Sequence, residues 1–234
     1  MEHPFTWYYL LETIFHPLSR FPESNFTSLV VMILIVALAF AFRAALNKSK
    51  DPAIPEERLG SRNVMELLVD MVVGLSDSII GKKGRKYVSL FGSLFIFILL
   101  ANLLGLVPGF TPPTSDWWAN LGLGLIVFVA YNFWGVQANG GHYFKQFVGP
   151  MVILAPLFIV IELFSHAFRP MSLSIRLYGN MFGDHLVLEI FSGLTKVIVP
   201  VVFYLLGTLV SVIQAAVFTI LSIIYVAMAI SHEH

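Results

Sequence analysis

Cysteine is absent from this chain of 234 residues, which excludes a disulfide framework, a thiolate metal site and a cysteine nucleophile and disfavours redox chemistry. Charge is scarce too: Asp, Glu, Lys and Arg make up only 12% of the residues, and 14 acids balance 14 bases. Nothing in that balance suits nucleic acid, and no nucleic-acid partner is expected. The first 25 residues carry Glu2, Glu12, Arg20 and Glu23 and lack a basic start, a short apolar run and a small-residue cleavage site, so no cleaved signal or transit peptide is expected. HExxH and paired His at i, i+4 are missing, and no metal or cofactor site is expected. Internal repeats, low-complexity tracts and inverted pairs of broken helices are also missing, which counts against the common secondary-transporter architecture.

What is present is apolar surface. Hydrophobic residues form 57% of the chain and the mean hydropathy is +0.82, well beyond an ordinary water-soluble domain. Several runs exceed the roughly 20 residues that cross a hydrocarbon core about 30 Å thick, and none shows the period-2 alternation of a membrane barrel. The expected fold class is an all-α integral membrane protein with five transmembrane helices and one interfacial amphipathic helix, treated as a single membrane domain.

Residues 1–25 mix aromatics, prolines and charges and suit an arm at the membrane surface. The first span is expected at 26–46, where Arg43 can snorkel from an otherwise uncharged run. A polar loop over 47–86 follows, broken by Pro52 and Pro55. Within it Glu66, Asp70 and Asp77 interrupt apolar residues at near-helical spacing, which predicts an amphipathic helix over 63–80. The second span is expected at 87–107, ending at Pro108-Gly109, and a short third one, containing Asn132, at 119–136. A polar hairpin over 137–149 leads to two long helices at 150–191 and 197–230. Both exceed a perpendicular crossing, so strong tilt is expected. Nine of the 14 Lys and Arg residues lie between Arg43 and Lys86. The positive-inside rule then puts that loop and the carboxyl terminus in the cytoplasm and the amino terminus outside.

The fourth span carries the chemistry. Its stretch IELFSHAFRPMSLSIRLYGNMFGDHLVLEIF holds Glu162, His166, Arg169, Arg176, Asp184, His185 and Glu189. At 100° per residue Glu162, Arg169 and Arg176 drift by only about 40° over roughly 21 Å, so they share one face. Asn180 extends that face one turn on, and His185 falls nearly opposite. A guanidinium stays protonated, and Arg at a helix centre is unfavourable by roughly 2.5 to 3.5 kcal/mol on insertion scales. Two readings follow for Arg176: a structural ion pair with Glu162 or Asp184, or a site for a moving or transported anion. Arg169, beside Pro170, suits snorkelling. Asn180 suits either helix packing or a polar path, and His166 and His185 suit either hydrogen-bonded structure or a proton relay. On the last helix Gly207, Ser211 and Gln214 form a narrow stripe, with Tyr225 at the angle of Gln214. Helix packing explains the two small residues, and Gln214 can also line a polar path.

These residues resemble a known family, subunit a of the rotary ATP synthase membrane sector. RPMSLSIRLYGNMFGDHLVL resembles the signature around its essential arginine, at the place of Arg176. ANLLGLVPGF resembles the second-span signature, Glu162 stands at the acidic position fourteen residues earlier, and IQAAVFTILSIIYVAMA resembles the last helix with Gln214. The likeness covers roughly residues 80–230. It implies a non-catalytic stator subunit partnered by a c ring, b-type peripheral stalk subunits and the lipid bilayer, in an energy-coupling membrane such as the bacterial inner membrane. It further implies two half-channels for H⁺ or Na⁺ kept apart by Arg176. Glu162 and Ser165 would line the cytoplasmic passage, His185 and Asp184 the outer one, with Asn180 and Gln214 near the arginine. One departure stands out. Some members pair an acid in the fourth span with a His one helix later, whereas here His185 takes the first place and Gly207 the second. Asp184 or a water chain would have to supply the missing group. The competing classes are a secondary transporter or channel whose arginine binds an anionic substrate, and a structural membrane scaffold.

Overall fold

The computed structural model describes residues 6–8, 23–48, 60–141, 143, 155–194 and 198–231. Among them every regular element is helical: α1 Glu23–Lys48, α2 Ser61–Ile79, α3 Val88–Gly105, α4 Trp117–Asn139, α5 Ala155–Leu194 and α6 Ile198–Ile230, with short 3-10 turns at Lys82–Tyr87 and Pro113–Ser115. All but α2 are long and apolar enough to cross a membrane. The chain is an all-α integral membrane protein. Most of the surface arm expected over 1–25, the hairpin residues 144–149, the first residues of the fourth span (150–154) and the last three residues lie outside the described residues.

Local chemistry sets the helix ends. Asp116 caps α4, its carboxylate accepting from the Trp118 amide at 3.2 Å, which satisfies one orphan donor of the first turn. The helix then runs on through Gln137, Ala138 and Asn139, residues expected in the hairpin, because the Asn139 amide donates to the Ala229 carbonyl on α6 at 2.9 Å. It stops at Gly140, whose φ of +54° belongs to the region glycine tolerates best. α2 is amphipathic: Val72 and Ser76 are buried against its neighbours while Val64, Leu67 and Met71 point outward, as suits a helix at a membrane surface.

α4, α5 and α6 pack mutually, α3 lies along α6, and α1 packs mainly on α2, α3 and the turn at Pro113–Ser115. Phe91, Phe95, Ile98, Tyr131, Leu177 and Phe218 fill the centre. In contrast α1 is open on most sides, with Leu29, Ile33 and Phe40 58, 61 and 69% exposed. In water that would be a large cost. In a bilayer lipid tails cover such residues, and helix contact is driven by packing and hydrogen bonds instead.

At the turn between α3 and α4 a chain of buried polar contacts ties three helices together. Thr114 donates to Asn102 Oδ1 at 2.7 Å, Asn120 to the Thr114 carbonyl at 2.6 Å, and the Ser174 hydroxyl has the Asn120 carbonyl at 3.0 Å and that of Pro170 at 2.8 Å. Asn102, the asparagine of ANLLGLVPGF, thus holds the turn in place. Trp7 joins this end, its amide donating to the Gly109 carbonyl at 3.0 Å and its indole to the Pro108 carbonyl at 3.2 Å.

The two long helices reach beyond a perpendicular crossing. α5 has 40 residues and α6 has 33; at about 1.5 Å per residue both are longer than a hydrocarbon core of about 30 Å, so they must run obliquely.

Candidate functional site

The charged stripe of α5 is split in two by its surroundings. Toward the start of the helix, Arg169 turns inward instead of snorkelling. Its guanidinium carbon lies 5.8 Å from the Tyr131 ring centroid on α4 and 5.7 Å from that of Tyr225 on α6. Both are within cation–π range. One guanidinium nitrogen stands 3.8 Å from a Glu162 carboxylate oxygen, a charge contact too long for a hydrogen bond. The 17% side-chain exposure of Arg169 reflects this clamp, since two rings and a carboxylate compensate the charge inside the bundle. Arg169, expected to snorkel, is instead held between two ring faces and an acid inside the bundle.

Next to this pair lies a polar cluster. His166 Nε2 is 3.0 Å from Asn132 Oδ1, and the Tyr143 hydroxyl donates to the same oxygen at 2.9 Å. The Asn132 amide nitrogen donates to the Phe128 carbonyl at 2.7 Å, which fixes the side-chain flip. With Oδ1 an acceptor only, Nε2 must be the donor to it, so the ring carries its proton there. Ser165, one residue earlier, faces outward from the bundle.

Two turns further along α5 the picture changes. Arg176 is exposed, beside Ile175 at 53% exposure. Glu162, one of its two expected ion-pair partners, is engaged by Arg169, and among the described residues no ion pair or hydrogen bond reaches the Arg176 guanidinium. Exposed apolar side chains occur on both helices, Phe164, Phe168 and Phe182 on α5 and Leu205, Leu209 and Ile213 on α6 being 48 to 76% exposed, while one turn to either side of Arg176 the exposed residues are Ser172 and Asn180. A permanent cation therefore stands exposed on the surface of the described residues.

One turn on, Asn180 donates to Gln214 Oε1 on α6 at 2.6 Å. Gln214 is buried at 3% exposure, Ser211 at 1%, and among the described residues the Gln214 amide nitrogen is buried without a hydrogen-bond partner. The sequence stripe Gly207, Ser211, Gln214 thus faces inward, and α5 and α6 are joined by an amide pair beside Arg176. Asp184 and His185 are half-buried toward the far end of α5. At Gly207 a Cβ would stand 2.8 Å from Leu106 Cδ2. Leu106 thus fills the space at Gly207, and the partner expected there for His185 does not arise from that position.

Glu162 and Arg169, which share one face of α5, come together, and Asn180 meets Gln214 of α6. Tyr131 and Tyr143 carried no signal, because an aromatic residue in a span or a hairpin is unremarkable. Asn132 was visible only as a polar residue in an apolar run, and Tyr225 only through the angle it shares with Gln214. Among the described residues no three His, Asp or Glu side chains converge to hold a metal ion.

The profile of the ATP synthase A chain family matches residues 26–227. Curated relatives named ATP synthase subunit a extend the match over most or all of the chain. The protein of Bdellovibrio bacteriovorus is 45% identical over 206 residues, covering 88% of this chain and 90% of that one. That of Solibacter usitatus is 42% identical, covering 91% and 90%, and that of Citrifermentans bemidjiense is 38% identical over the whole of both.

Proposed function

The chain belongs to the ATP synthase A chain family, and we propose that within the membrane sector of that enzyme it is the stator that carries ions to and from a rotating ring. The observation behind this reading is Arg176, an exposed permanent cation with no ion pair or hydrogen bond among the described residues. A charge so placed is costly in a bilayer, and a carboxylate presented by another chain would offset it.

The mechanism follows from that complementarity. An ionised ring carboxylate at about 4 Å from Arg176 is attracted by about 4 kcal/mol at an effective dielectric near 20. Once an ion neutralises the carboxylate the attraction vanishes, and the ring is free to turn away into lipid. The same cation repels ions that would leak directly from one half-channel to the other. Each charge that crosses 100 mV supplies about 2.3 kcal/mol, so the gate and its driving force are of one size.

Glu162, at the Arg169 clamp, and the outward-facing Ser165 are assigned to the cytoplasmic half-channel, and Asp184 and His185 to the outer one. With Leu106 occupying the space at Gly207, Asp184 and water carry the relay that a second titratable group performs elsewhere. Asn180 and Gln214 hold α5 to α6 so that Arg176 keeps its height and direction. The loop rich in Lys and Arg lies in the cytoplasm, the amino terminus outside, in a bacterial inner membrane, with b-type subunits holding the stator still. The subunit makes and breaks no covalent bond; it moves H⁺ or Na⁺.

The test is Arg176→Ala in the assembled enzyme. ATP-driven pumping in inverted vesicles should vanish while the complex still assembles, and Arg176→Lys should fail largely as well, because an ammonium lacks the planar fork. Normal pumping by the Ala variant would overturn the assignment. The chain reconstituted alone should transport nothing; uptake of an anionic substrate by it would favour a transporter.

A further inference from the structure

Between α2 and α3 the chain makes a basic corner to which the separator mechanism gives no role. Gly81, with φ of +80°, turns the chain out of α2, and the 3-10 turn Lys82–Tyr87 leads straight into α3, a membrane-crossing helix. The corner is tightly packed. A Cβ at Gly84 would stand 2.5 Å from the Ser76 hydroxyl oxygen and 2.9 Å from Ile80 Cβ, and Tyr87 is buried against Trp134 of α4, the ring centroids 4.3 Å apart. Lys82, Lys83, Arg85 and Lys86 all stand exposed on it. Asp77 is taken by Arg85, at 2.6 Å in the shortest contact, and the Lys86 ammonium lies 4.7 Å over the Tyr87 ring. Among the described residues no carboxylate comes within ion-pair distance of Lys82, Lys83 or Lys86. On the adjoining α2, Val64, Leu67 and Met71 form an exposed apolar stripe at i, i+3 and i+7.

We propose that this corner binds the headgroup of an anionic phospholipid, Lys82, Lys83 and Lys86 taking the phosphate while the apolar stripe of α2 rests on the acyl region of the same leaflet. The place of the charge selects a lipid. The turn stands at the end of a membrane crossing, where headgroups lie, and an amphipathic helix joined to a basic cluster meets both parts of an anionic bilayer surface at once. A free anion would use the charge and leave the apolar stripe in water, which is unfavourable. The site is independent of the stator reading. A general excess of positive charge on one side of the membrane would place basic residues anywhere along that face, whereas these three lysines share five residues of a turn held in place by Gly84 and Tyr87. Arg43 supplies the comparison. It is exposed and lies about 30 Å along α1 from Glu23, which accepts from Thr111 at 2.8 Å at the opposite end of the bundle. Arg43 therefore faces the same leaflet as the corner without belonging to it.

Trp134, packed on Tyr87, reports on the corner. The full chain is placed in phosphatidylcholine vesicles with Trp7→Phe, Trp117→Phe and Trp118→Phe, which leaves Trp134 as the only tryptophan. Its quenching by brominated phosphatidylglycerol is compared with that by brominated phosphatidylcholine, and the unsubstituted corner should prefer the anionic lipid. An exposed lysine at an anionic surface is worth roughly fivefold in affinity, so Lys82→Gln with Lys83→Gln should lower the preference by at least about fivefold, and Arg43→Gln by less than about twofold. Lys82→Arg with Lys83→Arg keeps the charge and should keep the preference. Equal quenching by the two lipids in the unsubstituted chain would overturn the proposal, and so would a preference that survives the double Gln change. An equal loss in Arg43→Gln would overturn it too, because the leaflet would then be reading overall charge. Inorganic phosphate should compete no better than sodium chloride of the same ionic strength; displacement of the lipid by phosphate alone would make the corner a site for a free anion. If the chain with the Phe replacements does not fold, phosphatidylglycerol retained by the chain with all four tryptophans is counted by native mass spectrometry, with the same outcomes expected of the same lysine and arginine variants.

Discussion

Gly124→Ala is the substitution whose cost the structure defines best. Gly124 lies on α4 where it crosses α5 at Pro170. An added Cβ would stand 2.6 Å from the Ser174 hydroxyl oxygen and 2.7 Å from the Pro170 carbonyl oxygen. Ser174 can rotate away, but the carbonyl is backbone, in a helix already missing one amide donor at the proline. Ordinary contact begins at 3.4 Å, so the helices must part by about 0.7 Å (3.4 less 2.7). Overpacking of this kind costs about 1 to 3 kcal/mol. Gly122 supplies the control, because a Cβ there meets nothing within 4 Å. Both changes gain the same helix-propensity advantage of Ala over Gly, up to about 1 kcal/mol, and this cancels in the comparison. Gly124→Ala should therefore be about 1 to 3 kcal/mol less stable than Gly122→Ala. Unfolding in lipid nanodiscs, followed by tryptophan fluorescence, reads the difference, since Trp117, Trp118 and Trp134 lie on α4 itself. Adding Ser174→Ala to Gly124→Ala should recover only part of it, the carbonyl contact remaining. Equal stability of the two glycine variants would refute the close α4–α5 approach.

Two further outcomes follow from single contacts. Asn180→Leu removes the donor to Gln214 Oε1 and leaves that buried acceptor unpaired, at about 1 to 3 kcal/mol; Asn180→Leu with Gln214→Met should be milder than Asn180→Leu alone when α5–α6 stability is measured by the same unfolding assay. Outside the membrane, Arg85 donates to both Asp77 carboxylate oxygens, at 2.6 Å in the shortest contact, and holds that carboxyl below its ordinary value of 3.8. The unfolded chain then takes the proton first, so the contribution of Asp77 is complete above that value and is lost as the pH falls through the lowered one. An acid titration of stability should show this loss below pH 3.8, and Asp77→Asn should abolish it.

Much of the fold is legible in the residues. Uncharged runs, the prolines between them and the amphipathic pattern over α2 mark helices, because a membrane leaves few alternatives for satisfying backbone polar groups. The common face of Glu162, Arg169 and Arg176 is legible too, since helical geometry fixes angles within one element. Partners from other elements are a different matter. Periodicity along α5 cannot tell which of Arg169 and Arg176 meets Tyr131 and Tyr225, nor that Leu106 fills the space at Gly207, because those contacts join residues far apart in the chain. Pro170 and Gly124 meet for the same reason, and neither residue's neighbours in sequence announce it.

By itself, then, the sequence determined the solvent, the helices and the stripe of charge, since hydrophobicity, turn chemistry and the 3.6-residue period are properties of neighbouring residues. Only the tertiary structure decided how that charge is shared. Packing of α4 and α6 on α5 surrounds Arg169 with aromatic faces and an acid, and leaves Arg176 exposed. Two arginines on one face of one helix are alike in sequence, and burial alone makes one a compensated internal charge and leaves the other exposed.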